Sequence, residues 1–597
     1  MLPLRRIALF LLAAPGPVAA MDLPLGNGFQ SRINGTISAG TMIRTEAPDT
    51  ALIGKTSAAR AGLSSGQLLG NGGGADLNFQ RGKPVSSLVK ALVDVEVKRG
   101  EYGVFARTRA WYDHELAEGN RPYGNAPNGF RRDAPLSDAG FSPTARFSNL
   151  ELADAYAFGH FKPTDRSRME VRLGRQVVHW GASRFTTGGL DTINPLDHPA
   201  QTRPGALPQE GRIPVGMVYV NLDGGGAWGA DGFLQLEHRS TVQVGCGTFF
   251  ALSNYSTSGC NYVSVLPTLS DDTALASGRY PKRQADVDSS DAGQFGLSLR
   301  YTARSLATEF RAYGLRYHSR SPSVRVTNAE VNGGYGTATT RLTDANGLRY
   351  ATLYPEGIQL YGLSFQSRID DSLRAFGEVA RRSGQPLNLN AADLITAFYG
   401  RSPTSALNLA KNSNAIPPGG QFDAYDRFPV TTASLGLERS FAAVLGAERL
   451  SVAGEAGFSH VENLPNPGVL RYGRPDDYGP GAVDGQPCTD TTAAQKGCSH
   501  QGFISDNAWG YRLRLSADYP DRLPDTVLTP SLAFAHDLSG FSYDGTFLED
   551  RKVLRPALHV TWRKSWFADM AYTRIAGGAY NLLADRDNVT LVVGYTF

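Results

Sequence analysis

The chain has 597 residues, with 59 Lys+Arg against 56 Asp+Glu and a formal net charge of +3. That balance removes the basic footprint of a nucleic-acid binder, and the even mixing of charge argues against a long disordered tail. No window approaches the roughly 18 consecutive apolar residues of a helical membrane span. With 67 Gly, 25 Tyr and 28 Phe, the composition fits strands and turns instead.

Arg5 and Arg6 precede the apolar run Ile7 to Ala14, and small residues follow in Pro15-Gly-Pro-Val-Ala-Ala20. A basic start, a short apolar stretch and a small-residue cleavage site predict a secretory signal peptide over 1–20. The remainder, 21–597, is expected to be one domain.

Strands are predicted at 29–45, 86–99, 102–116, 149–162, 167–180 and 213–222. Further strands are expected at 227–239, 294–304, 307–318, 357–369, 372–383 and 429–441. The last six are placed at 448–460, 509–519, 526–538, 553–563, 566–576 and 588–597. Period-two alternation carries them. Trp509, Tyr511, Leu513, Leu515, Ala517 and Tyr519 share one face, and Gly510, Arg512, Arg514, Ser516 and Asp518 the other. The final strand alternates in the same way and ends on Phe597, an aromatic carboxy terminus that resembles the assembly signal of bacterial outer-membrane barrels.

Alternation alone also suits a soluble sandwich. The connections add the missing information. Short links (100–101, 163–166, 370–371, 520–525) alternate with long ones (46–85, 117–148, 240–293, 384–428, 461–508). That rhythm predicts an all-β, transmembrane antiparallel β-barrel with short periplasmic turns and long extracellular loops in the bacterial outer membrane. Eighteen strands is the preferred count and sixteen the alternative. Either size leaves an aqueous lumen. The patch Ala391 to Lys411 is expected to hold short helices inside a loop.

Gly174-Arg-Gln-Val-Val-His-Trp-Gly181, Gly188-Gly-Leu-Asp-Thr-Ile-Asn-Pro-Leu-Asp197 and Arg203-Pro-Gly205 resemble the proteobacterial outer-membrane family called domain of unknown function 1302. Asp76-Leu-Asn-Phe-Gln-Arg-Gly82, Ala110-Trp-Tyr-Asp113 and Tyr354-Pro-Glu-Gly-Ile-Gln-Leu-Tyr-Gly-Leu-Ser364 extend the resemblance over most of the mature chain. The chain departs from it at Ala182 and Gly357, where members carry acidic residues. The resemblance implies an outer-membrane protein often encoded near genes for export or catabolism of hydrophobic compounds.

Within the matched region, 181–212 is rich in Pro and Gly. Pro195, Pro199, Pro204 and Pro208 remove ladder donors, so it is not a strand. Either it folds inward as a constriction, with Trp180, Asn194, Asp197 and Arg203 lining the narrow point, or it is a rigid external loop. The strand register points Lys90, Arg107, Arg109, Arg172, Arg300, Arg311, Arg374, Arg512 and Arg514 inward. Asp94, Glu96, Glu309, Glu378, Glu455 and Asp518 share that side. Charged rings of this kind tune selectivity, but any water-filled barrel needs polar lining.

Four cysteines permit three pairings, and short separation favours Cys246–Cys260 and Cys488–Cys498 in external loops of an exported chain. Closing loops of this size is worth about 3 kcal/mol on the chain-entropy model. Gly62-Leu-Ser-Ser-Gly66 has nucleophile-elbow spacing without the strand–helix context that the motif needs. His114, His160, His179 and His198 lack metal-helix spacing. No catalytic residue, metal or cofactor is proposed. The expected function is a porin-like channel for small, including hydrophobic, molecules. A barrel-embedded lipid hydrolase and a structural or adhesive barrel are the alternatives. Expected partners are outer-membrane lipid, the barrel-assembly machinery acting on the C-terminal strand, and transport proteins of the periplasm or inner membrane. No nucleic acid is expected.

Overall fold

The computed structural model describes residues 21–26, 28–61, 74–266, 268–488 and 496–597. The predicted signal peptide 1–20 and the Gly62–Gly66 spacing lie outside the described residues. Eighteen strands form the wall. β1 to β6 are Phe29–Arg44, Pro84–Arg99, Tyr102–Asp113, Ser148–Phe161, Arg168–Gln176 and Val215–Asp223. β7 to β12 are Trp228–Gln235, Phe295–Ala303, Thr308–Tyr317, Ile358–Arg368, Leu373–Asn388 and Tyr425–Ala442. β13 to β18 are Arg449–Val461, Asn507–Pro520, Thr526–Ser539, Lys552–Trp562, Trp566–Ala576 and Asn588–Thr596.

Each strand pairs antiparallel with the next, and β1 pairs with β18 from Thr36↔Thr596 to Arg44↔Asn588, which closes the sheet. Gly35 and Phe597 exchange backbone hydrogen bonds at 2.9 Å, so the terminal residue is part of the seam. The strand Met21–Gly26 folds back on Phe29–Ile33, where it lengthens the wall beyond the end of β18. A closed sheet leaves no unpaired edge in the bilayer, where each bare backbone group would cost several kcal/mol.

The alternation separates two faces. Leu513, Leu515, Met570, Leu591 and Val593 are exposed on the outer face, as lipid contact requires. Aromatic pairs mark the rim at the short turns: Trp228 with Tyr301 at 4.7 Å, Trp566 with Tyr595 at 4.9 Å and Tyr102 with Phe161 at 5.8 Å between centroids. Such rings suit the interface because one part is apolar and another tolerates water.

At the opposite end the long connections pack together. Lys282–Arg283, Arg349–Leu353, Ser323–Thr327 and Gln421–Asp423 form a small second sheet above the wall. Disulfides join Cys246 to Cys260 and Cys488 to Cys498, each with Cα atoms 5.9 Å apart. The family-like segment at Asp76 also belongs to this cap. Asp76 receives Arg44 at 3.0 Å and Arg586 at 2.8 Å, while Asp585 receives Arg44 at 2.6 Å. Both guanidiniums lie 5.6 Å from the ring of Phe249, and all four charged groups are buried.

Five strand ends differ from the sequence reading by three residues or more, among them β7, which ends at Gln235 and not 239. β3 ends at Asp113, not 116, because the Asp113 carboxylate caps the short helix His114–Glu118 by accepting from Leu116 N–H. β5 ends at Gln176, not 180, because the Val178 N–H goes to Asn194 Oδ1 instead of a ladder. β11 and β12 run on to Asn388 and from Tyr425, beyond the predicted 383 and 429. A register shift between Arg382 and Gln385 absorbs Gly384, whose φ is +73°, so Ser383-Gly384 is a bulge and not a turn. The 391–411 patch folds into Ala391–Leu394, Ile395–Tyr399 and Ala406–Lys411, as expected for short helices in a loop.

Candidate functional site in the lumen

The connection 177–214 leaves the wall at the end of β5 and returns at β6. Trp180 opens it. The indole packs against Phe233 and Tyr313 on the inner face of β7 and β9, and its N–H donates to Asp231 at 2.5 Å.

The next residues reach strands far around the wall. On β11, the Glu378 carboxylate accepts from the backbone N–H groups of Ala182 at 2.6 Å, Ser183 at 2.9 Å and Leu190 at 2.8 Å. On β13, Glu455 accepts from Arg184 at 2.8 Å, Phe185 at 2.9 Å and Thr186 at 3.3 Å, and from the Ser183 hydroxyl at 2.6 Å. Both carboxylates are buried. Arg184 pairs with Glu438 of β12 and covers Phe376, and Arg382 of β11 donates to the Gly189 carbonyl. The glycines make this approach feasible. A methyl group at Gly181 or Gly189 would collide with the Glu378 carboxylate, and Gly181 also has φ +102°. This gives a local reason for glycine at the ends of the two family-like stretches.

The chain then turns back. Asn194 ties its base by accepting from Val178 N–H and donating to the carbonyls of Gln176 at 2.9 Å and Ile213 at 3.0 Å. Asp197 caps the helix His198–Thr202 and receives Arg109 of β3 at 2.6 Å. Arg109 also pairs with Glu151 of β4, and Lys90 of β2 pairs with Glu210. Arg203 lies 3.9 Å over the Trp111 ring and donates to the Thr144 carbonyl at 2.5 Å. Burial pushes its guanidinium down to about 10, with Asp197 opposing the shift, so it stays charged at neutral pH. Pro204 and Gly205 rest beside Gly40 of β1 and Val592 of β18. The segment thus touches the inner face on opposite sides of the barrel.

The sequence-predicted residues fall into three groups. Trp180, Asn194 and Asp197 are buried, and their polar atoms bind wall or loop, so they hold the segment instead of facing a solute. Arg203 is partly exposed and held on Trp111. The wall arginines point inward as the register required, but most are paired: Arg107 with Asp94, Arg172 with Glu170, and Arg512 with Asp537. Arg514 is exposed and makes no ion pair among the described residues. Sequence reasoning placed Glu378 and Glu455 on the inner face but gave no sign of their partners, which are backbone N–H groups. It missed Glu438, Asp231 and Glu210 altogether.

Several solved structures resemble the chain over nearly its whole length at low identity. The outer membrane channel DcaP of Acinetobacter baumannii is 9% identical, with 97% of this chain and 100% of that chain covered at TM-score 0.37. Acinetobacter baumannii OccAB4 is 9% identical over 98% and 100%, at 0.40. Pseudomonas aeruginosa OccK1 (OpdK) is 8% identical over 95% and 98%, at 0.37. At scores of this size the likenesses carry no further weight, and the barrel stands on its own strand pairing. No curated protein matches the chain. The family model described as protein of unknown function DUF1302 matches residues 1–597, and the chain belongs to that family.

Proposed function

We propose that this protein is an outer-membrane channel for small solutes, with segment 181–212 folded across the lumen to set the width of the path. An eighteen-strand barrel is too wide for its own inward side chains to fill, so discrimination between solutes needs an internal element. The observation that carries the reading is the capture of residues 182–190 by Glu378 and Glu455, on wall strands remote from the one the segment leaves. Export through segment 1–20 and assembly through the strand ending at Phe597 complete the same reading, with the barrel-assembly machinery as partner.

The test is planar-bilayer conductance of the full chain and of a variant lacking residues 186–208, with folding checked by heat-modifiable gel mobility. The deletion should raise single-channel conductance severalfold. A folded deletion variant that conducts like the parent removes the role of the segment. A parent that does not conduct removes the channel reading and favours a structural barrel.

A further inference from the structure

Two sets of inward aromatic rings differ in their surroundings. Trp111, Phe233, Tyr313 and Phe376 are covered, the first by Arg203, the next two by Trp180 and the last by Arg184. Phe105 of β3, Tyr156 and Phe158 of β4 and Tyr219 of β6 also point inward by register and are only half-buried, Tyr219 packing at the edge of the cluster around Trp180.

These four form one patch. Phe105 and Tyr156 are stacked at 5.2 Å with planes 28° apart, and Phe158 follows at 6.4 Å. The edge of the Phe158 ring lies against Gly103, where a methyl group would collide with it, and His160 meets the same ring edge-to-face at 5.6 Å. Arg172 lies 5.5 Å from both Tyr156 and Tyr219, and Arg107 lies 5.6 Å from Phe105. Each guanidinium is held in a fork by a carboxylate: Arg107 by Asp94 at 2.7 Å, and Arg172 by Glu170 at 2.8 and 2.9 Å. A cavity of about 900 Å³ adjoins the patch at the short-turn end, with Tyr156, Phe158, His160, Arg172 and Asn221 in its lining.

Rings exposed to a water-filled lumen have neither lipid nor core to meet. Flat apolar faces beside a few fixed polar groups are the make-up of a small-molecule site. We propose that this patch binds a neutral ring solute bearing hydroxyl groups. The ring of the solute packs against the lumen-facing edges of Tyr156 and Phe158, and the hydroxyls meet the carboxylate–guanidinium pairs. The charges suit a neutral solute: Arg107 and Arg172 are already matched by Asp94 and Glu170, Lys98 shares its face with Glu96, and Lys162 and Arg168 at the cavity are offset by Glu101 and Asp223. A sugar ring and a phenol both have this chemistry.

The inference rests on the channel reading, and the experiment separates the two. Glucose or phenol is added to the full-length protein in a planar bilayer, and binding of each is measured in detergent micelles by equilibrium dialysis. One or both should interrupt the current and bind, with glycerol as the inert open-chain control. Glucose alone names a sugar site, and phenol alone an aromatic one. The double variant Tyr156→Ala, Phe158→Leu should keep the ionic conductance and weaken binding about tenfold, the size of one lost ring contact. A conducting parent that binds neither compound, or a variant that binds like the parent, overturns the site and leaves the channel standing. Binding without conductance overturns the channel alone.

Discussion

The two ends of the inward segment are held by different chemistry. The far end, 182–190, is held mainly through its backbone: Glu378 and Glu455 collect N–H groups, with the Ser183 hydroxyl as the one side chain among their donors, and Arg184–Glu438 adds a single ion pair. The near end is held by side-chain ion pairs, Lys90–Glu210 and Arg109–Asp197–Glu151. A backbone grip leaves most loop side chains free to vary and asks only for glycine where a Cβ would strike the carboxylate. An ion-pair grip fixes residue identity on both partners. The two should also fail differently. Most N–H groups released at the far end belong to half-buried or exposed residues that water can reach, Ala182 and Leu190 being the buried ones. A charge abandoned at the near end stays buried, because Asp197 and Glu210 are covered.

The largest expected effect is therefore at the near end. Arg109→Ala leaves Asp197 buried without its cation, and loss of one partner of a buried pair costs about 3–5 kcal/mol. The denaturation midpoint in detergent micelles should drop clearly; a loss below about 1 kcal/mol would put the near end on the same footing as a surface pair. At the far end, Glu378→Ala combined with Glu455→Ala removes charge-assisted hydrogen bonds worth about 1–3 kcal/mol apiece before water replaces them. Here the denaturation midpoint should fall less than for Arg109→Ala while single-channel conductance and current noise rise. Parent-like conductance would show that the far-end grip is not what holds the segment across the lumen.

The same contrast explains what could be read in advance. Strand existence and facing were legible, because alternation such as that of Trp509 to Tyr519 states which side chains meet lipid, and the closed register agrees with it. The disulfides were legible because separations of 14 and 10 residues leave little choice. The near-end pairs were half legible: Lys90 and Arg109 were placed inward and Asp197 at the narrow point, but nothing signalled that Asp197 meets Arg109, and Glu210 was missed. The far end was illegible in principle, since the groups bound by Glu378 and Glu455 are main-chain donors, which every residue but proline carries. Asn194 and Asp197 mislead for a related reason. Polar side chains in a proline-rich segment have the segment's own backbone to satisfy, and these two do so before any solute arrives.

The smallest expected effect concerns charge that holds neither end. Arg514 of β14 and Arg555 of β16 flank Ala533 on one inward row, Arg514↔Ala533↔Arg555, both exposed and without an ion pair among the described residues. Neither touches the 177–214 segment through any bond described above, so replacing them should not move it. Arg514→Glu with Arg555→Glu should change stability by no more than about 0.5 kcal/mol, as for surface substitutions away from packed features. Single-channel conductance should stay near that of the parent, in contrast with the far-end double variant. What should change is ion selectivity, because fixed charges on a pore wall enrich the counter-ion. Under a potassium chloride gradient the reversal potential should shift toward cation selectivity, and the shift should shrink as total salt rises and screening shortens the reach of the wall charge. An unchanged reversal potential at low salt would mean that permeating ions do not pass this row, and the path would then run along the β2–β6 side of the lumen.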